Sequence, residues 1–151
     1  YNVLRDIHSI DFRDDCLYEI KVRGYIPVIA HIERYFHEGL DYSIIDNWVD
    51  MGCVLQLNRT SILGVNGKTI QANALELLDN GYCDLICTDT HRASGNRIEK
   101  LSDVYSFVSK RIGSENADIL FYENPKRILK DMDILDINVE KKKKLFGFFG
   151  R

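Results

Sequence analysis

Three side chains in this sequence have the types and spacing needed to hold a divalent metal. Asp89 and His91, within Asp89-Thr90-His91, follow the apolar run 83–87, and His31 follows a similar run at residues 25–30. A carboxylate and two imidazoles at the ends of buried strands suit a hard or borderline divalent cation. Such a cation can act on a substrate oxygen, so the pattern favours hydrolytic chemistry.

Two arginines lie close to these residues in the sequence and suggest an anionic substrate. Arg34 follows His31 by three positions, and Arg97 follows the loop that contains His91. A planar guanidinium matches phosphate oxygens bidentately and keeps its charge at any physiological pH. The alternatives remain open at this point: a turn cap at Asp89, a surface loop residue at His91, a hydrogen-bonded core histidine at His31, and arginines that are merely exposed.

The elements that must position these side chains follow a repeating pattern. Apolar runs of strand length alternate with stretches of helical period, which is typical of βα units around a parallel sheet. We predict strands near 1–4 and at 25–30, 53–57 and 84–87, a polar loop at 58–68, and helices at 11–23, 39–51, 69–80, 97–112, 114–122 and 125–132. Glycines 24, 52 and 81 are expected to end the first three helices. The carboxyl ends of parallel strands meet at one edge, so His31, Asn58, Asp89 and His91 are expected to lie together.

Composition limits the class of protein. The chain has 151 residues, is 45% hydrophobic and carries a formal net charge of −3, which fits one domain over residues 1–138 and gives no general basic field. We therefore expect no nucleic-acid partner. The four cysteines form no C-x-x-C pair and are interpreted as reduced core thiols, which favours the cytoplasm.

The tail at residues 139–151 differs from the rest of the chain. It joins four consecutive lysines to Leu145-Phe146-Gly147-Phe148-Phe149. Such a tail is either a solvated terminus or a segment that contacts an anionic membrane surface weakly. The four βα units cannot close an eight-stranded barrel, so the open sheet edge requires more chain or a partner such as a second copy.

Four segments resemble one known family. They are Gly24-Tyr25-Ile26-Pro27-Val28-Ile29-Ala30-His31-Ile32-Glu33-Arg34-Tyr35, Gln56-Leu57-Asn58-x-x-Ser61, Thr88-Asp89-Thr90-His91, and Glu123-Asn124-Pro125-x-x-Ile128-Leu129. Together they resemble the metal-dependent protein-tyrosine phosphatases of the capsule-biosynthesis (CpsB/CapC) type, within the PHP superfamily.

The resemblance implies a fold, a reaction and a set of site residues. The fold would be α/β, the C-terminal portion of a distorted (β/α)7-8 PHP-type barrel with parallel strands and outer helices. His31, Asp89 and His91 match metal ligands of the family, with manganese expected first and iron or zinc as alternatives. Arg34 and Arg97 match phosphate-binding arginines. The implied substrate is a phosphotyrosine protein, a bacterial tyrosine kinase of capsular or exopolysaccharide biosynthesis.

Part of the family's metal site has no counterpart in this sequence. The family's H-x-H pair, the aspartate and histidine after it, and a bridging glutamate would lie before or at the start of this chain. We therefore expect an N-terminally truncated chain. Three alternatives follow: a PHP phosphatase acting on a small ester such as histidinol phosphate, a non-catalytic relative that binds a partner, and a plain structural α/β module.

Overall fold

The computed structural model describes residues 10–90 and 100–139, with side chains from Asp14 onward. Several predictions concern residues outside these ranges. They are the strand near 1–4, His91, Arg97 and nearly all of the 139–151 tail.

Within the described residues, three short strands form one parallel sheet in the order β1-β2-β3. The strands are β1 (Val28–Ile29), β2 (Val54–Asn58) and β3 (Leu85–Cys87). Val28 pairs with Val54, and Asn58 lies opposite Cys87. The α/β class with a parallel sheet is therefore confirmed. β1 is shorter than the predicted 25–30, because Pro27 has no amide hydrogen to donate and Tyr25 and Ile26 are exposed.

Helices connect and cover the strands. They are α1 (Ile10–Val22), α2 (Tyr42–Asp50), α3 (Arg59–Ile62), α4 (Lys68–Asp79), α5 (Ser102–Ile112), α6 (Ser114–Asp118) and α7 (Asn124–Ile128), with a 3₁₀ turn at Ile32–Arg34 and a π-helical turn at Ile119–Glu123. Several helix predictions need correction. The helix α3 lies within the expected loop 58–68, and residues 39–41 and 100–101 are not helical although helices were expected at 39–51 and 97–112. The helix expected at 125–132 ends at Ile128. None of the helices in the described ranges is long and apolar enough to cross a membrane.

The same helix ending precedes each strand. After α2, Gly52 donates its amide to Val49 O at 2.7 Å, and Cys53 donates to Trp48 O at 2.9 Å. This pair of bonds is a Schellman motif, and it needs the positive φ of 72° that glycine adopts without strain. Equivalent bonds occur at Gly24 and Gly81. The predicted helix ends are confirmed, and each of these turns leads the chain directly toward the next parallel strand.

The core lies between the sheet and its helices. Leu55 and Leu57 of β2 are 1% and 0% exposed, and Ile45 and Trp48 of α2 pack in the same cluster. The cluster also contains Leu77 and Leu78 of α4, and Val104 and Val108 of α5. Val49, which follows Trp48 on α2, is 44% exposed, because a step of about 100° per residue carries it past the buried stripe.

The four cysteines of the chain all carry free thiols, as predicted. Cys53 and Cys83 are buried, whereas Cys16 and Cys87 are partly accessible. Burial raises the pKa of the Cys53 thiol to about 11 and raises that of Cys83 well above its ordinary value. These two thiols therefore stay protonated and behave as small apolar core groups.

Candidate metal and phosphate site

The carboxyl ends of the three strands place the predicted polar residues at one edge of the sheet. His31 is the second residue after β1, Asp89 is the second residue after β3, and Asn58 is the last residue of β2 between them. The three residues hold similar positions because parallel strands all end at the same edge of the sheet.

His31 adopts a backbone conformation that is uncommon for a residue with a side chain. Its φ and ψ are both 47°, in the left-handed region, and it begins the 3₁₀ turn at Ile32–Arg34. Its amide donates to Gln56 Oε1 at 3.0 Å. Its ring stacks on Tyr35, with 5.9 Å between centroids and 20° between planes. The hydrogen bond therefore restrains the backbone of His31, and the stacking restrains its ring.

Asp89 shares the left-handed conformation, with φ 54°. Its Oδ2 accepts a hydrogen bond from Asn58 Nδ2 at 3.2 Å and lies 3.7 Å from Arg34 Nη1. The side chain is 18% exposed. The carboxylate is therefore held between β2 and the segment that follows β1, with one side toward solvent.

Arg34 lies across the same edge. Its Nη2 donates to Thr60 Oγ1 at 3.4 Å and its Nε to Ser61 Oγ at 3.5 Å. Both hydroxyls belong to α3, the single turn that directly follows β2. The guanidinium is 19% exposed, so it is oriented by neutral hydroxyls beside Asp89 while one side remains open to an anion.

Glu33 is a site residue that sequence reasoning missed. Its side chain is completely buried, Oε1 accepts from the Asn58 amide at 3.4 Å, and the same oxygen lies 3.7 Å from Arg34 Nε. Burial raises the pKa of Glu33, although hydrogen bonds from Ser61 and backbone amides and the charge of Arg34 oppose the shift. Residue type and spacing give no signal for this role, because a glutamate between an isoleucine and an arginine is typical of a surface; its place in the motif at residues 24–35 is the signal that could have found it.

Asn73 of α4 fixes the segment that carries these residues. Its Nδ2 donates to Phe36 O at 2.8 Å and to Glu33 O at 3.2 Å, and the residue is 4% exposed. A buried amide that pairs with two backbone carbonyls replaces the bonds that an irregular segment cannot make to a neighbouring strand. The loop after β1 is therefore anchored to a helix.

The donors at this edge suit a divalent cation in type. An imidazole residue and a carboxylate residue follow neighbouring strand ends, and both keep left-handed backbones, a feature that clusters at functional sites. Within residues 14–90 and 100–139, no group of three or more His, Cys, Asp and Glu side chains is close enough to hold a metal. His91, the third predicted ligand, lies outside the described residues, as does Arg97. The two candidate ligands that the structure does describe, His31 and Asp89, have donor types that suit a divalent cation.

A separate groove of about 1220 Å³ lies between the C-terminal ends of α4 and α5 and contains none of the predicted site residues. Three of its four charged groups have partners: Arg111 donates to both oxygens of Asp79 at 2.6 Å, and Tyr42 donates to Glu76 at 3.0 Å. The strand edge is therefore the stronger candidate for chemistry.

Comparison with known proteins identifies the family. A family model described as capsular polysaccharide synthesis, CpsB/CapC, matches residues 4–130. This chain belongs to the CpsB/CapC family. The match includes His31, Arg34, Asp89, His91 and Arg97, and it confirms the family that the sequence motifs indicated.

Curated relatives and a solved structure agree with this assignment. The tyrosine-protein phosphatase YwqE of Bacillus subtilis is 28% identical over 144 residues, which cover 94% of this chain and 56% of the relative. The tyrosine-protein phosphatase CpsB of Streptococcus pneumoniae is 29% identical over 120 residues, which cover 76% and 49%. The chain spans about half the length of these relatives.

The solved structure that matches this chain is one of the crystal structures of YwqE from Bacillus subtilis and CpsB from Streptococcus pneumoniae. These two proteins are described as unique metal-dependent tyrosine phosphatases. The TM-score is 0.74 at 27% identity, and the match covers 85% of this chain and 51% of that structure. This CpsB/CapC family member therefore has the fold of roughly half of a metal-dependent tyrosine phosphatase.

Proposed function

We propose that this chain supplies part of the active site of a metal-dependent phosphomonoester hydrolase, specifically a protein-tyrosine phosphatase. The observation that carries the proposal is the placement of His31, Asp89 and Arg34 at the same edge of the parallel sheet, with Arg34 Nη1 3.7 Å from Asp89 Oδ2. Metal ligands and a phosphate-binding cation within one small area are what phosphoester hydrolysis requires. Membership in the CpsB/CapC family supports this reading.

The proposed ligands in this chain are His31, Asp89 and His91, with manganese as the proposed metal and iron or zinc as alternatives. A divalent cation, when bound, supplies Lewis-acid charge to a phosphoryl oxygen and makes water a stronger acid. The relatives support metal dependence in general, while the identity of the metal is our proposal.

The role of Arg34 follows from its surroundings. Hydroxyls of Thr60 and Ser61 orient the guanidinium, which is 19% exposed and keeps its charge at any physiological pH, so it can bind a phosphoryl group. Asp89 lies 3.7 Å away, which keeps Arg34 aimed at the ligand edge. A hydrogen-bond donor of this kind lowers the activation barrier most when negative charge builds on the equatorial phosphoryl oxygens in the transition state. Arg97 is proposed as a second arginine with the same function.

The proposed substrate is a phosphotyrosine protein, a bacterial tyrosine kinase of capsular or exopolysaccharide biosynthesis. The names of the relatives support a phosphotyrosine substrate, and the family description supports the capsular context. The proposed compartment is the cytoplasm, which the free thiols favour. We also propose that the three-stranded sheet belongs to a PHP-type barrel, which the match to half of a solved phosphatase supports.

Hydrolysis by the native gene product, with manganese added, tests this proposal. The substrates are a phosphotyrosine peptide and histidinol phosphate, assayed side by side. We expect faster release of phosphate from the peptide, and we expect Asp89→Ala to abolish it. Faster hydrolysis of histidinol phosphate would indicate a small-molecule phosphatase instead. Hydrolysis of neither substrate would favour a non-catalytic relative that binds a partner.

A further inference from the structure

Two amide side chains on the central strand face the candidate ligands. Gln56 and Asn58 are two positions apart on β2, so they project from the same face of the sheet. They are 6% and 0% exposed. Buried amides without partners would cost free energy, so each must satisfy its donors and acceptors inside the protein.

The hydrogen bonds of these two residues form a continuous chain from β1 to β3. His31 donates its amide to Gln56 Oε1 at 3.0 Å, Gln56 Nε2 donates to Asn58 Oδ1 at 2.6 Å, and Asn58 Nδ2 donates to Asp89 Oδ2 at 3.2 Å. We refer to Gln56 and Asn58 as the amide relay. It connects the backbone of one candidate ligand to the carboxylate of the other.

The groups at the two ends determine the orientation of both amides. A backbone N–H at His31 can only donate, so Gln56 must present its oxygen there and its nitrogen toward Asn58. Gln56 Nε2 also donates to Leu57 O at 2.6 Å, which fixes the same orientation. Asn58 must then accept on one side and donate on the other, toward the carboxylate of Asp89. The reversed orientation of either amide would place like groups face to face.

The residues at the ends of the relay need to be held. His31 and Asp89 have φ values of 47° and 54°, in the left-handed region that costs residues with a side chain free energy unless their surroundings hold them. The other described non-glycine residue with positive φ, Asp131, is exposed beyond the end of α7, where such turns are ordinary. The strain at the strand ends therefore coincides with the relay.

We propose that Gln56 and Asn58 are positioning residues that set the backbone of His31 and the carboxylate of Asp89, so that both ligands reach one divalent cation. This rests on the proposed function, because it takes His31 and Asp89 as ligands. The relay itself does not touch the cation. Residues that orient metal ligands in this way commonly change metal affinity by about 10-fold to 100-fold when they are replaced.

Manganese affinity and amide exchange test the relay in three variants of the full chain. Gln56→Leu and Asn58→Leu remove the amide groups at nearly constant volume. Asn124→Leu is the matched control, because Asn124 is also 0% exposed and its side chain makes three hydrogen bonds, to Asp84 and Leu135. Electron paramagnetic resonance of free Mn²⁺ gives the dissociation constant. The fluorescence of Trp48, which is 1% exposed, verifies folding.

We expect the two relay variants to bind Mn²⁺ about 10-fold to 100-fold more weakly than wild type. The Asn124→Leu control should keep its affinity within about twofold although it loses stability. Affinity within twofold of wild type in both relay variants would overturn the positioning role. A loss as large in the control would do the same, because it would mean that affinity follows stability alone. If Asn58→Leu does not fold, Gln56→Leu decides the question.

Hydrogen exchange at the His31 amide tests the relay without metal. In Gln56→Leu this amide loses its acceptor, and we expect its exchange to accelerate at least tenfold relative to amides in β2. Unchanged exchange would overturn the relay itself. If wild type binds no Mn²⁺, the proposed function fails, and fast exchange in the variant would still show that Gln56 holds His31.

Discussion

The side chain of Asp84 predicts an unusual dependence of stability on pH. Its Oδ2 accepts a hydrogen bond from the Leu55 amide at 2.7 Å, where β3 meets β2. Burial raises the pKa of Asp84 from 3.8 to about 6, the Leu55 amide opposes the shift, and the charge of Asp136 adds to it. The ionised carboxylate is thus less stable in the folded protein than in the unfolded chain.

The sign and the size of the effect follow from this difference. Between pH 3.8 and about 6 the folded state keeps a proton that the unfolded state has released, so the free energy of unfolding falls as pH rises. A difference of about two pH units corresponds to about 3 kcal/mol, which is an upper limit for a partly accessible group. Asp84→Asn keeps an acceptor for the Leu55 amide but never ionises.

Urea denaturation of wild type and Asp84→Asn from pH 4 to pH 8, followed by the fluorescence of Trp48, measures this effect. The two proteins should be similar at pH 4, and the variant should become more stable by up to about 3 kcal/mol above pH 7. Asp133→Asn, at an exposed aspartate, is the control and should show no such trend. A stability difference that stays constant across this pH range would mean that Asp84 does not have a raised pKa in the folded protein.

Three other substitutions have defined outcomes. Arg34→Lys should lower turnover of a phosphotyrosine peptide by about 100-fold to 1000-fold. Arg111→Lys is the control and should leave turnover within about twofold, because Arg111 is paired with Asp79 in the separate groove. Equal losses in the two variants would contradict the role of Arg34. Leu77→Ala, at a completely buried position, should reduce the free energy of unfolding by about 2–5 kcal/mol in urea, and a loss below 1 kcal/mol would argue against the described core. Arg59 donates two hydrogen bonds to the carboxylate of Asp103 and lowers its pKa to about 2. The stability from this pair is therefore present above pH 3.8 and is lost as pH falls toward 2. Acid denaturation of Asp103→Asn should lack this loss of stability. An acid transition identical to that of wild type would contradict the contribution of the ion pair.

The strands and the helix ends could be predicted from the sequence because the signals are local. Apolar runs bounded by glycine marked β2 and β3 to within about a residue, and the glycines before them ended their helices as expected. The one-turn helix α3 gave no such signal. Its polar residues Thr60 and Ser61 are typical of a loop, and their burial against Arg34 is a tertiary effect.

The end of the chain shows a second limit. Asn124-Pro125 predicted a break between two helices, yet helical structure is continuous from Ser114 to Ile128. A π-helical turn at Ile119–Glu123 lies just before Pro125, and the Asn124 amide donates to Ile119 O, five residues back, as in a π-helix. Pro125 itself has no N–H with which to continue the helical hydrogen bonds. The side chain of Asn124 instead bonds to Asp84 and Leu135, a role that no local pattern indicates.

The sequence could predict that His31 and Asp89 lie at one edge of the sheet, but not the buried hydrogen bonds that orient them. Parallel topology alone brings His31 and Asp89 to one edge, and the sequence showed both residues after apolar runs. The burial of Glu33 and the direction of the Gln56 and Asn58 amides depend on hydrogen bonds across 25 to 31 positions of sequence. Long-range bonds of this kind have no periodicity that a single sequence can reveal.

Anomalous diffraction at the manganese absorption edge, from crystals of this chain grown with Mn²⁺, tests most directly whether His31 and Asp89 share one cation. We expect a single strong peak within about 2.5 Å of both a nitrogen of His31 and an oxygen of Asp89. A peak that contacts one of these side chains while the other points elsewhere, or no peak at this edge of the sheet, would contradict the account.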